Sequence, residues 1–190
     1  MKLHRMLLVV ALIGMLSTAA FAEVLNLQVF TKSGSFTIPN GVTRIEVEVR
    51  GGGGTSYGQG HPVGGCGGGY GKGVFTVTPG HTYAVTVGNG GTGGSFRIRG
   101  SSGGESSFEN LISATGGEGG EGGEGGDFND PSPKYCQGGT STAPLNMPGF
   151  RSYYEGIGGA AGDGSSRGQG GTGYNDRGGE GSAGNVVVRW

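Results

Sequence analysis

The sequence predicts an all-β protein: a small antiparallel β-sandwich interrupted by glycine-rich insertions that take up an extended, threefold helical backbone. Three observations predict it. Short segments alternate apolar and polar residues with the period of a strand and are separated by turn residues. No ten-residue window beyond residue 22 has helical periodicity. Of the 49 glycines, 46 fall between Gly51 and Gly184, and one run of them repeats every three residues.

Residues 1–22 read as a secretory signal peptide rather than as part of the fold. Lys2, His4 and Arg5 give a basic start, Met6 to Leu16 is an apolar run too short to span a bilayer, and Ala20 to Ala22 supply small residues for cleavage. The mature chain is expected to run from Glu23 to Trp190 as a single glycine-rich β domain, secreted or held in the periplasm or at the cell surface, with no membrane insertion. Within it, 23–115 and 185–190 read mainly as strands, and 116–184 mainly as glycine-rich helices and loops. Losing Lys2 and Arg5 leaves 11 basic against 14 acidic residues, a net charge near −3. Such a balance draws the chain neither to nucleic acid nor to anionic lipid.

The strands follow in order. Val24 to Phe30 alternates Leu25, Leu27 and Val29 against polar neighbours, the mark of a half-buried strand. Gly34 to Arg50 offers a short strand, an Asn40-Gly41 turn, and a second strand with Ile45, Val47 and Val49 on one face and Arg44, Glu46, Glu48 and Arg50 on the other. Gly73 to Gly88 reads as a hairpin, with Pro79 and Gly80 at the two central positions of a type II turn between Phe75/Val77 and Tyr83/Val85/Val87. Further down, "SSFENLISATGG" offers Phe108, Leu111 and Ile112 as apolar residues. "GNVVVRW" closes the chain as a strand, so both ends of the mature chain contribute to the sheets.

The glycine insertions have their own period. Gly116 to Asp127 reads "GGEGGEGGEGGD", three residues per repeat, which matches the polyproline II conformation and neither strand nor α-helix. Such a helix has no internal hydrogen bonds, so its backbone groups need solvent or neighbouring helices, and glycine permits that close approach. Glu118, Glu121, Glu124 and Asp127 then line one edge, a solvated face in preference to a low-affinity calcium site. Gly156 to Gly184 is a less regular candidate for neighbouring helices.

The order of "SGSFTIPNGVTRIEVEVRGGGG", "GGGYGKGVFTVTPGHTYAVTVGNGG", "SSFENLISATGGEGG" and a terminal "GNVVVRW" resembles the glycine-rich domain of secreted bacterial proteins and of bacteriophage tail-fibre adhesins. More distantly it is similar to the glycine-rich region of the anaplastic lymphoma kinase receptor. That resemblance covers about residues 34–126 and the final twenty. It implies a small β-sandwich combined with bundled polyglycine II helices, and a binding role carried by the loops that connect those helices. The signal peptide sets this chain apart from the phage adhesins and marks it as a cellular export product.

Catalytic motifs fail on inspection. "GCGGGYGKG" (Gly65 to Gly73) suggests a phosphate-binding loop, but Cys66 stands where the first glycine belongs and Gly73 where the hydroxyl belongs. A strand follows where the phosphate site needs a helix N-terminus, so Lys72 reads as solvated and no nucleotide is expected. "GNGGTG" (Gly88 to Gly93) precedes "GSFRIRGSSGG", which cannot form the helix of a dinucleotide fold. His61 sits in a glycine loop and His81 in a turn, and the carboxylates are scattered. A paired-carboxylate glycan hydrolase would require Glu46, Glu48, Glu105 or Glu109 to meet across a cleft. No enzyme activity and no cofactor or metal is expected.

Cys66 and Cys136, in an exported chain, read as one disulfide. The segment 127–155, "DFNDPSPKYCQGGTSTAPLNMPGFRSYYE", carries recognition chemistry. Phe128, Tyr135, Phe150, Tyr153 and Tyr154 lie beside Lys134 and Arg151, rigid rings with adjacent cations suited to a cell-surface glycan or a protein partner. Alternatively the rings cover the end of the sandwich. The expected role is a non-catalytic surface-binding or adhesion module. A polyglycine II ice-binding protein and a purely structural matrix or envelope component are the alternatives.

Overall fold

The computed structural model describes residues 26–56, 64–93, 100–120, 136–150 and 179–190. Nine strands lie within them: β1 (Leu27–Phe30), β2 (Gly34–Thr37), β3 (Arg44–Arg50), β4 (Tyr70–Thr76), β5 (Thr82–Thr86), β6 (Ser106–Phe108), β7 (Ile112–Ala114), β8 (Leu145–Met147) and β9 (Asn185–Arg189). No helix occurs among the described residues. Two antiparallel sheets result, one ordered β1-β9-β3-β4-β8 and the other β2-β5-β6-β7. The all-β expectation holds.

Alternation on β3 decides which face meets the second sheet. Ile45, Val47 and Val49 are buried and, with Val186 and Val188 of β9, form one wall of the core. Phe36, Val85, Phe108, Ile112 and Ala114 form the facing wall, with side chains of the two inner faces meeting to make the core. Phe36 is the hub of the rings: its centroid lies 6.3 Å from Phe30, 6.3 Å from Phe108 and 5.0 Å from Trp190. The C-terminal strand β9 is a central one, hydrogen-bonded between β1 and β3, with Val29 opposite Val187 and Val49 opposite Val186.

Two readings of the strands need correction. Leu27 and Val29 are exposed, and Phe30 is the core residue of β1. β1 is an edge strand whose register against β9 turns its odd-numbered side chains away from the second sheet. Pro79 and Gly80 do form the turn, with the His81 N–H donating to the Thr78 carbonyl at 3.1 Å and Gly80 at φ 78°, the positive value that the third position of a type II turn requires. The turn does not make a hairpin, because β4 pairs with β3 and β8 while β5 pairs with β2 and β6. Likewise the Asn40-Gly41 turn carries the chain from β2 in one sheet to β3 in the other. Both turns are corners of the sandwich, and Ile38 ties them together by accepting from Gly80 at 2.9 Å and donating to His81 at 2.8 Å.

Glycine segments are interleaved with the strands along the whole chain. β3 runs on into 51–56, 64–69 leads into β4, β5 runs on into 88–93, and 100–105 leads into β6. In the same way 115–120 follows β7, 136–140 precedes the bridge of Ser141 to Ala114, 148–150 follows β8, and 179–184 leads into β9. The registers put the attached strand ends together: Arg50 is opposite both Tyr70 and Asn185, Tyr70 is opposite Met147, and Ser106 is opposite Ala114. The segments therefore continue as a bundle from one end of the sandwich.

Segment 51–56 is the axis of that bundle. Gly51 and Gly54 donate to Gly69 and Cys66, Gly52 and Thr55 to Gly104 and Ser101, and Gly53 and Ser56 to Ser182 and Gly179, all at 2.9–3.1 Å. Donation thus returns to the same neighbour every third residue and addresses three neighbours in turn, whereas a strand addresses two. Its carbonyls accept as well, Gly52 from Gly117, Thr55 from Gly120 and Gly53 from Gly91. All six residues are buried, and every N–H has a backbone partner, as burial demands. Glycine is needed for the approach: a Cβ on Gly54 would stand 2.1 Å from the Glu118 carbonyl oxygen, and one on Gly117 would stand 2.1 Å from that of Cys66.

Candidate functional site

The segment 127–155 is not one loop. Residues 136–140 are threaded into the bundle, where Thr140 and Gln137 accept from Thr115 and Glu118 three residues apart, and Gly139 donates to Gly67. Residues 145–147 are β8, the edge strand beside β4. The recognition residues therefore fall into two groups on either side of a built-in stretch. Phe150 is 57% exposed, with its carbonyl accepting from Gly67 at 3.1 Å. Phe128, Lys134, Tyr135, Arg151, Tyr153 and Tyr154 lie outside the described residues.

What the described residues do give is the anchorage of the two groups. Cys136, next to Tyr135 in sequence, is disulfide-bonded to Cys66 with the two Cα atoms 5.6 Å apart. Phe150, next to Arg151, is held by the adjacent Gly67. Both groups thus connect to the fold against consecutive residues of segment 64–69. The half-cystines are fully buried, which agrees with the pairing expected of an exported chain.

Other expected features are placed as follows. Glu118, assigned to a solvated acidic edge, is half-buried and accepts from the Gln137 backbone N–H through Oε2 at 2.9 Å; Glu121, Glu124 and Asp127 lie outside the described residues, as does His61. His81 packs edge-on against Tyr83 with centroids 4.6 Å apart. Among the described residues no group of three or more His, Cys, Asp or Glu side chains could hold a metal ion.

Lys72 is not simply solvated. It lies within β4, one strand from Glu48, and its Nζ is 2.9 Å from Glu46 Oε2 and 3.5 Å from Glu48 Oε1. Arg189 of β9 pairs with both carboxylates from the other side, at 2.9 Å to Glu46 and in closer contact with Glu48. Arg50 adds a 3.2 Å contact to Glu48 and stacks over the Tyr70 ring at 4.9 Å. Burial alone would push the Glu48 carboxyl up. The Arg189 hydrogen bond and the charges of Arg189, Arg50 and Lys72 outweigh it and hold Glu48 below its ordinary value of 4.5. Lys72 is held above its ordinary 10.5, chiefly by its hydrogen bond to Glu46.

The structure thus brings Glu46 and Glu48 together, while Glu105 precedes β6 and Glu109 occupies the β6–β7 turn at φ 45°. The pair faces shared cations on a sheet surface rather than a substrate across a cleft, and Glu48 is stabilised as its anion. A glycosidase acid needs the opposite shift. The partners of this network, Lys72 and Arg189, escaped the sequence reading because they depend on which strands flank β3.

A family model described as a glycine-rich domain matches residues 30–189 of the chain. No curated protein matches it.

Proposed function

Because the chain belongs to the glycine-rich domain family, we propose that it is an exported, non-catalytic module that binds a cell-surface glycan or protein, related in use to the secreted and phage-tip members that its motifs resemble. In this reading the glycine segments are polyglycine II helices and serve as a rigid mount. The ligand is taken by the aromatic and cationic residues Phe128, Lys134, Tyr135, Phe150, Arg151, Tyr153 and Tyr154. The observation that carries it is the common anchorage of both groups on Cys66 and Gly67, one through the disulfide and one through a backbone hydrogen bond. Donation recurring every third residue supports the helix assignment. Fixed flanks lower the ordering cost of binding, the usual advantage of a preorganised site.

The test is binding of labelled residues 23–190 to intact cells and to purified envelope polysaccharide. A companion variant replaces 127–135 and 151–155 by Gly/Ser, carries Phe150→Ser, and leaves the built-in residues 136–149 intact. Saturable binding that the variant loses is the expected result. Absence of binding by both proteins would make the chain a structural envelope component instead.

A further inference from the structure

The dipeptide Asn-Gly occurs twice in the chain, at Asn40-Gly41 and at Asn89-Gly90. A glycine after asparagine leaves the next main-chain nitrogen with no Cβ to shield it, so that nitrogen can reach the asparagine Cγ and close a cyclic imide. Closure needs rotation about the asparagine Cα–C bond, and that rotation swings the residue's own carbonyl with it. The two sites are alike in sequence, and both asparagines are exposed. They differ in what holds the backbone.

Asn40-Gly41 is held loosely. It forms the centre of the corner between β2 and β3, closed by the Val42 N–H donating to the Pro39 carbonyl at 3.2 Å. Neither the Asn40 carbonyl nor the Gly41 N–H has a backbone hydrogen-bond partner among the described residues. Gly41 stands at φ 83° with nothing within 4 Å of where a Cβ would lie, so the peptide between the two residues turns in open space. Asn89-Gly90 lies within the bundle instead. The Asn89 carbonyl accepts from Gly104 at 2.8 Å and that of Gly88 from Gly184 at 2.9 Å, while Gly91 donates to Gly53 at 2.8 Å and accepts from Gly181 at 3.0 Å. A Cβ on Gly90 would run into the Gly181 carbonyl, so this backbone cannot turn without parting from its neighbours.

We propose that Asn40 is a site of spontaneous covalent modification, converting through a succinimide to isoaspartate and aspartate, and that the glycine bundle protects Asn89 from the same reaction. The Gly41 nitrogen attacks the Asn40 Cγ. A new N–C bond forms, the Cγ–Nδ2 bond breaks, and the amide leaves as ammonia with the proton that the Gly41 nitrogen gives up. Water then opens the ring: addition at Cγ gives aspartate, and addition at the main-chain carbonyl gives isoaspartate, whose chain continues through the side-chain carbon. Either product adds a carboxylate. Isoaspartate also lengthens the main chain at the corner that joins the two sheets, between the buried Ile38 and Ile45.

Tryptic peptide mapping by mass spectrometry tests the proposal, on folded residues 23–190 with the disulfide intact, held at mildly alkaline pH and sampled over weeks. Cleavage after Lys32, Arg44, Lys72 and Arg97 places Asn40 in peptide 33–44 and Asn89 in peptide 73–97. Peptide 33–44 is expected to gain the mass of an amide-to-acid exchange and to split into two chromatographic forms, at least about tenfold faster than 73–97 reacts, because reaction at Asn89 must wait for local opening of the bundle. The same chain, reduced and unfolded in guanidinium, should convert at both sites at similar rates. Peptide 33–44 keeping its amide in the folded protein after the unfolded chain has converted would overturn the proposal at Asn40. Equal rates at the two sites in the folded protein would overturn the protection of Asn89, as would a difference that persists undiminished in the unfolded chain.

Discussion

At Thr55 the glycine bundle takes in a side chain that it does not satisfy. The residue is fully buried at the bundle axis, its backbone N–H and carbonyl are both used, and its Oγ1 has no hydrogen-bond partner among the described residues. A buried hydroxyl without a partner costs about 1–3 kcal/mol. Thr55→Val keeps the branched shape and removes that cost, so it is expected to stabilise the fold by about 1 kcal/mol, a rise of about 2–4 °C in the thermal midpoint. Thr55→Ser keeps the hydroxyl, loses a methyl and should lower the midpoint instead. Thermal unfolding followed by circular dichroism checks both. Residue identities alone foretold the disulfide and the need for close packing at glycine. They could not foretell the orphaned hydroxyl, which depends on Gly91 and Gly100 of other segments lying against Thr55.

Strands β3, β4 and β9 carry the titrating part of the molecule. The folded Glu48 carboxyl is held below 4.5, so its contribution to stability is complete above the unfolded value and is lost as pH falls through the folded one. Lys72 has the opposite sign: held above 10.5, it contributes below that value and its share is lost as pH rises through its folded value. The thermal midpoint should therefore be flat between about pH 6 and 9 and fall below about pH 4.5. Glu48→Gln should remove much of the acid limb and lower the neutral plateau. Legibility at this scale was uneven for a physical reason. The alternation of Ile45, Val47 and Val49 is local and was read correctly, as were the turns at Asn40-Gly41 and Pro79-Gly80. Turn chemistry sets backbone dihedrals but not strand partners, so the sandwich corner at Pro79-Gly80 looked like a hairpin. Alternation also does not say which face is inside, and the edge strand β1 was read inside out.

For the molecule as a whole, sheets and bundle are one continuous hydrogen-bonded body, and the Cys66–Cys136 link closes a separation of 70 residues within its glycine part. Loop-closure entropy assigns such a link about 4 kcal/mol. Reduction, or paired replacement by Ser, is accordingly expected to lower the urea midpoint substantially, measured beside the oxidised chain in the same buffer. The architecture was legible in outline because strand and glycine periods differ. The interleaving was not, because the partners of 51–56 come from segments up to residue 182. A bundle joined through backbone amides has a calorimetric consequence. Unfolding the sandwich exposes apolar surface and raises the heat capacity, whereas unfolding segments such as 51–56 exposes mainly peptide groups, whose hydration lowers it. The two halves oppose each other, so the free energy of this fold varies with temperature along a flatter arc than its length would suggest, and the chain keeps its shape in the cold where more oil-rich domains begin to loosen.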